Sequence, residues 1–233
     1  MVEDWRYSMM SRTRHANSKD TGSSRSSKRW LREHFDDVFV KRAHQEGLRA
    51  RSAYKLIEIN ERYKIIKPNM TVVDLGAAPG SWTEYAAKIV GDKGKVIALD
   101  ILPFNAVKNT ANVTYLQRDF TDEKTISELL QVVGAHNVDT VISDMAPNTS
   151  GIKAVDQARS LELVYTAGRF ACATLKAKGT FLAKAFQSQD LTVFVKKLRI
   201  SFCDVKIIKP DASRARSWEI FLLASGFRMI TMI

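Results

Sequence analysis

From Thr71 to Ala224, short runs rich in β-branched and aromatic residues alternate with stretches of helical periodicity, and that alternation restricts the chain to one architecture. The runs are Thr71 to Leu75, Lys95 to Leu99, Val113 to Leu116, Val138 to Ser143, Thr180 to Phe186, Val205 to Ile208 and Glu219 to Ala224. Helices are expected after the first run, over Glu123 to Val133, from about Ala154 to Leu175, and near Leu191 to Ile200. Val138 to Ile142 and Thr180 to Ala183 are almost uninterrupted apolar runs, as strands are when helices cover both faces of their sheet. The last two runs read as hairpin-like. The fold class is therefore α/β: a mostly parallel, seven-stranded sheet with one antiparallel edge strand and helices on both faces.

Ahead of the sheet, Trp30 to Ile66 has mixed helical character, interrupted at Gly47. Residues 1 to 27 are rich in Ser, Arg and Lys and lack apolar periodicity, which reads as a disordered basic tail; residues 28 to 230 read as a single domain. Lys and Arg exceed Asp and Glu by 36 to 25, a net charge of +11, so an anionic partner is expected, with nucleic acid ahead of a membrane surface. The excess is local. Lys28 to Lys67 carries eleven basic against six acidic residues, and Lys196 to Arg216 seven against two. No run approaches the roughly 18 apolar residues of a spanning helix, and the charged leader does not resemble a signal peptide, so a cytoplasmic protein is expected. Cys172 and Cys203 have no ligand spacing and no clustered histidines, so no metal is expected, and both read as buried thiols.

The first strand runs through Asp74-Leu75-Gly76-Ala77-Ala78-Pro79-Gly80-Ser81-Trp82 into a helix. A strand, a small-residue turn and a helix N-terminus bring backbone close to a ligand at the carboxyl edge of the sheet. Three residues separate Gly76 from Gly80 and one is a proline, which departs from the G-x-G-x-x-G of dinucleotide sites; there is also no G-K-[ST] for a triphosphate. Asp100 closes the second run, where a carboxylate accepts ribose hydroxyls, and Asp119 follows the third, placed for an adenine amino group. Singly, each acid fits a solvated turn. Asp74, Asp100 and Asp119 behind successive strands together point to an adenosine ligand without phosphates, S-adenosylmethionine.

The segments Arg49-x-Arg51-Ser52-Ala53-Tyr54-Lys55-Leu56, Val73 to Gly80, Ser143-Asp144-Met145-Ala146-Pro147-Asn148 and Lys209-Pro210-x-x-Ser213-Arg214-x-x-Ser217 resemble those of the FtsJ-type RNA 2′-O-methyltransferases, most of all the bacterial enzymes that act on a uridine of large-subunit ribosomal RNA. The resemblance spans about residues 28 to 228. It implies a Rossmann-like class I methyltransferase fold, cofactor contacts at Asp74, Gly76, Gly80, Trp82, Asp100, Asp119 and Asp144, and a catalytic tetrad of Lys55, Asp144, Lys184 and Glu219. It also implies a large ribosomal subunit as partner. Ser81 departs from the glycine of the closest members. A transfer-RNA or mRNA-cap ribose methyltransferase is the alternative enzyme; a non-catalytic, rRNA-binding assembly factor is the alternative of another class. An NAD enzyme is disfavoured by the glycine spacing. A monomer is expected.

A ribose hydroxyl is a poor nucleophile at neutral pH, so the site must take or share its proton. Lys184, at an otherwise apolar strand end, is the expected acceptor. Desolvation and the Lys55 ammonium would lower its pKa, and Asp144 and Glu219 would oppose that. Lys55 and Glu219 are expected to orient the ribose and Asp144 to align Lys184. In the rival version Lys184 stays an ammonium and only orients the hydroxyl. Trp30, Phe35 and Tyr54 are possible base-stacking platforms, and equally possible core residues.

Overall fold

The computed structural model describes residues 38–103, 111–214 and 216–229. The expected tail, Trp30 and Phe35 lie outside the described residues. The chain divides into compact units between Lys41 and Arg42. Of the first unit, the described part is the opening turn of helix α1 (Val38–Gln45); all that follows belongs to the second.

Helix α2 (Ala53–Tyr63) buries Ala53, Leu56, Ile59 and Asn60, the spacing of one helical face, and stops at Lys64, whose left-handed backbone (φ 52°) returns its N–H to the Asn60 carbonyl. Strand β1 (Thr71–Leu75), helix α3 (Ser81–Val90), strands β2 (Lys95–Asp100) and β3 (Val113–Gln117), and helix α4 (Glu123–Val133) follow. Asp122 caps α4 by accepting from the Lys124 N–H, and Thr125, Leu129 and Val133 face inward at four-residue intervals. Next come β4 (Val138–Ser143), α5 (Lys153–Thr174), β5 (Leu175–Phe186), α6 (Leu191–Ser201), β6 (Phe202–Ile208) and β7 (Glu219–Phe227). Among the described residues no helix is long and apolar enough to cross a membrane.

All seven expected strands form one sheet, in the order β3-β2-β1-β4-β5-β7-β6. The pairs from β3 through to β5 are parallel. The antiparallel strand is β7, which lies one place in from the edge, between β5 and β6. Two cores follow from the period of two along each strand. On one face Val72, Ile142, Leu182, Phe221 and Leu223 pack with Leu56, Ile59, Trp82 and Ala86 of α2 and α3. On the other, Val73, Val141, Phe181 and Leu222 pack with Leu129, Val164, Phe170 and Phe194 of α4, α5 and α6. The neighbouring strands β1 and β4 are buried along nearly their whole length, as strands are when helices cover both faces of a sheet.

The cysteine expectation is corrected. Cys172 in α5 is half-buried, but Cys203 is exposed, because β6 is the edge strand and residue 203 falls on its outer side.

Candidate active site

The chain leaves β1 for β2 and β3 on one side and returns to β4 on the other, so the strand order reverses between β1 and β4, and a crevice opens at their carboxyl ends. The Asp144 N–H reaches the Leu75 carbonyl at 3.2 Å, so the first residue after β4 still pairs with β1 beside Gly76.

Strand parity explains why three acidic and basic side chains meet here. Asp144, Lys184 and Glu219 each lie two positions from an apolar residue of the α2/α3 core, namely Ile142, Leu182 and Phe221, and so project from the same face at the rim. Helix α2 lies on that face and contributes Lys55, which is 9% exposed. Lys55 Nζ is 2.6 Å from Glu219 Oε1 and 5.7 Å from the centre of the Phe221 ring. Lys184 Nζ donates to the Asp144 carbonyl at 2.5 Å and makes an ionic contact with Asp144 Oδ1 at 3.0 Å. The structure thus brings Lys55, Asp144, Lys184 and Glu219 to one rim. Burial pushes the Glu219 carboxyl up, but Lys55, Lys184 and the hydrogen bonds from Lys55 and Ser213 outweigh it and hold the group below the usual range.

The segment Lys209 to Ser217 is fastened so that Ser213 can serve Glu219. Arg51 donates to the Ala212 carbonyl, and the Asp211 N–H to Glu58 Oε2 at 2.9 Å, both from the α2 side. Ser213 Oγ then donates to Glu219 Oε1 at 2.9 Å. Arg51 and Ser213 stood in the sequence motifs without assigned roles; these contacts supply them.

The glycine turn sits next to this rim. Gly76 has φ +78°, and a Cβ there would lie 2.6 Å from Met145 Cγ and 3.0 Å from Met145 backbone atoms, so only glycine lets the turn and the residue after Asp144 come together. Asp100 fastens the turn: its Oδ2 accepts from the Ala78 N–H and its Oδ1 from the Leu102 N–H, both at 2.8 Å. Arg49, another motif residue with no expected role, donates to the Pro79 carbonyl and to Glu84 Oε2, each at 3.1 Å. A small cleft is left, lined by Ser52, Gly76, Ala77, Ser81, Trp82 and Asp144 among others. Gly80 lies at the start of α3 with φ +103°.

Of the remaining expected contacts, Asp74 and Trp82 are buried and Asp119 lies at the surface. Asp74 is fully buried beneath α3, where Thr83 Oγ1 donates to its Oδ2 at 2.7 Å; burial, ahead of the opposing Thr83 bond and aided by Asp144 and Asp100, pushes it up to about 7. Trp82 is 2% exposed and donates its Nε1–H to the Ser52 carbonyl, so its ring packs beneath the cleft and on Phe221. Asp119 is exposed, and its Oδ1 accepts from both the N–H and the hydroxyl of Thr121. Tyr54 is core: it is buried and donates to Glu46 Oε2 at 2.7 Å. The sequence placed Ser81 near the methionine carboxylate only as a departure from glycine that alters packing, and gave its hydroxyl no role. Its Oγ is buried, has no hydrogen-bond partner among the described residues and lines the cleft at the first position of α3; a hydroxyl directly after the last turn glycine was the available signal.

The buried, unpartnered Ser81 hydroxyl at a helix N-terminus, with the Asp144 carboxylate across the cleft, fits the amino-acid end of a methyl donor such as S-adenosylmethionine. Among the described residues, no group of three or more His, Cys, Asp or Glu is arranged to hold a metal.

Residues 48–227 match the FtsJ-like methyltransferase family. The chain is 50% identical over 206 residues to a Marinobacter nauticus protein named Ribosomal RNA large subunit methyltransferase E, covering 88% of this chain and 98% of that one. A protein of the same name from Acinetobacter baumannii is 55% identical over 203 residues, covering 87% and 93%. The crystal structure of a Plasmodium falciparum protein described as "ribosomal RNA methyltransferase, putative" superposes with a TM-score of 0.66 at 25% identity, over 77% of this chain and 98% of that one.

Proposed function

The chain belongs to the FtsJ-like methyltransferase family, and from that premise we propose that it methylates the ribose 2′-hydroxyl of a uridine in large-subunit ribosomal RNA, on the assembled subunit, in the cytoplasm and as a monomer. The observation that carries the reading is the convergence of Lys55, Asp144, Lys184 and Glu219 beside the glycine cleft. Related chains named for this rRNA support the choice of substrate, as does the basic excess of Lys196 to Arg216, which leads into Glu219.

When bound, S-adenosylmethionine supplies a methyl group already activated by its sulfonium charge. Gly76, Gly80, Ser81, Asp100 and Asp144 would hold it, Asp100 through its carboxylate oxygens at the end of β2, and Asp119 at the end of β3 would accept from its adenine amino group. Asp74 and Trp82 act from beneath, as supports of the turn and of α3. Lys184 Nζ, after giving up its own proton to solvent and as the free amine, takes the proton of the attacking hydroxyl. Asp144 keeps that nitrogen at the rim through its carbonyl and carboxylate, and the Lys55–Glu219 pair orients the ribose.

The test is to incubate the protein with labelled methyl donor and, separately, purified unmethylated large subunits, free rRNA and transfer RNA, and then to map the labelled ribose. Label at a uridine 2′-oxygen of the large subunit is the expected outcome. Label only on transfer RNA would replace the substrate, and label on none would remove the catalytic reading.

A further inference from the structure

Trp218 immediately precedes Glu219, yet nearly half of it, 46%, is exposed. The backbone that carries it is held on both sides. The Trp218 carbonyl accepts from the Gln187 N–H at 2.9 Å, and the Gln187 carbonyl accepts from Gln157 of α5 at 2.6 Å. On the preceding side, Ser217 N–H donates to the Arg214 carbonyl at 2.9 Å, and Lys209 donates to the Ser217 carbonyl. The backbone on both sides of the ring is thus fixed.

Neighbouring side chains at the start of a strand point to opposite faces. Glu219 faces α2 and Lys55, whereas Trp218 meets Lys153, the first residue of α5, whose Nζ lies 4.7 Å from the ring centre. Indole and carboxylate therefore straddle the rim. A cation over an aromatic face that keeps much of its surface in water is the composition of a base-stacking platform with a phosphate contact attached. On the RNA reading above, a strand whose ribose is oriented by the Lys55–Glu219 pair would pass this rim.

We propose that Trp218 and Lys153 form a stacking subsite for a nucleobase of the RNA next to the methylated nucleotide. The inference rests on the RNA reading above. Stacking accepts any base, so the subsite positions the strand and adds no base choice of its own.

The test uses the full-length chain and a short oligouridylate, read by tryptophan fluorescence, with Trp218→Phe, Trp218→Ala and Lys153→Ala. The chain has four tryptophans, so the signal of Trp218 is the difference between wild type and Trp218→Phe. That difference signal should be quenched on titration, and Trp218→Ala should weaken oligouridylate binding by about 5-fold to 100-fold. Trp218→Phe should recover most of the loss, and Lys153→Ala should cost about 2-fold to 5-fold. On unmethylated large subunits the Trp218→Ala deficit should appear in KM more than in kcat. Binding of S-adenosylhomocysteine by each variant verifies the fold. Unchanged oligouridylate affinity in Trp218→Ala, or quenching that is the same in Trp218→Phe as in wild type, overturns the proposal. A wild-type chain that binds and quenches but methylates no RNA would instead count against the function proposed above and leave the subsite standing.

Discussion

Lys55 Nζ lies 2.6 Å from Glu219 Oε1, which joins a helix that precedes the sheet in sequence to the antiparallel strand near its far margin. Both side chains are largely withdrawn from water, at 11% and 13% exposure, and Ser213 Oγ bonds the same carboxylate oxygen. Removing one member of such a pair strands the other's charge.

Lys55→Ala and Glu219→Ala should each destabilise the protein by about 3 kcal/mol, and the double variant by less than the sum, as a urea-unfolding cycle would measure. The Glu219 carboxyl is held below its ordinary range, so its contribution is complete above the unfolded value near about 4.3 and is lost as pH falls through the lower folded value. The stability difference between wild type and Glu219→Gln should therefore shrink only in that acid window. A difference independent of pH would show the pair to be packing alone.

Lys184→Ala should lower methyl transfer by about 10²-fold to 10⁴-fold with donor affinity retained, because its nitrogen faces Asp144 at the rim and the turn is held by other residues. Single-turnover rates against pH, compared with a direct NMR titration of the lysine, separate the two roles. A rate that follows the lysine's own titration supports proton acceptance; a rate indifferent to it leaves an orienting cation.

Asp74 responds to pH in the opposite sense. Its folded value of about 7 exceeds the unfolded value of about 3.9, so the folded state binds the extra proton and the buried carboxyl costs stability progressively as pH rises between them. Asp74→Asn keeps an acceptor for Thr83 and removes the charge. Its stability relative to wild type should rise from about pH 4 to about pH 7 and then level off, by up to 3 or 4 kcal/mol in order of magnitude. A flat difference in urea unfolding at about pH 5 and about pH 8 would refute the assignment.

The two turn glycines should differ. Both have positive φ, but a Cβ at Gly76 meets Met145 backbone at 3.0 Å, whereas one at Gly80 meets the end of the Arg49 side chain at 3.2 Å, which can move. Gly76→Ala should cost about 2 kcal/mol or more and abolish S-adenosylhomocysteine binding, and Gly80→Ala should cost less, near about 1 kcal/mol. Equal losses of thermal stability would contradict this.

Much of this was legible before the coordinates because period and punctuation are local. Asp122 before α4, Gly76 after β1 and the apolar runs of β4 and β5 each carry their own signal. The tetrad came from motif resemblance, since a lone Lys184 in a strand has several explanations and its partner at residue 144 is 40 positions away. What stayed hidden depends on pairing across the sheet. The place of β7 between β5 and β6 decides that Cys203 is outside and that Glu219 shares a face with Lys184. Asp74 read as a ligand group from its place among three acids behind successive strands, and Trp82 from the resemblance; strand alternation turns Asp74 beneath α3, and the Trp82 bond to the Ser52 carbonyl lays its ring along the cleft floor.

Ser81 offers a test in which stability and affinity move in opposite directions. The residue is 4% exposed and its buried hydroxyl has no partner among the described residues, an arrangement that costs a folded chain about 1 kcal/mol or more. Ser81→Ala removes the stranded group and keeps a good helix former at the first position of α3, so the unliganded protein should become more stable in urea by about 1 kcal/mol. If the hydroxyl bonds the donor's amino-acid end, calorimetry should show S-adenosylhomocysteine binding weakened by about 3-fold to 10-fold in the same variant. A ligand-induced thermal shift smaller than wild type would follow from the same linkage. Lower stability with unchanged affinity would mean that Ser81 serves packing alone and that the cleft holds its ligand through backbone and carboxylate contacts.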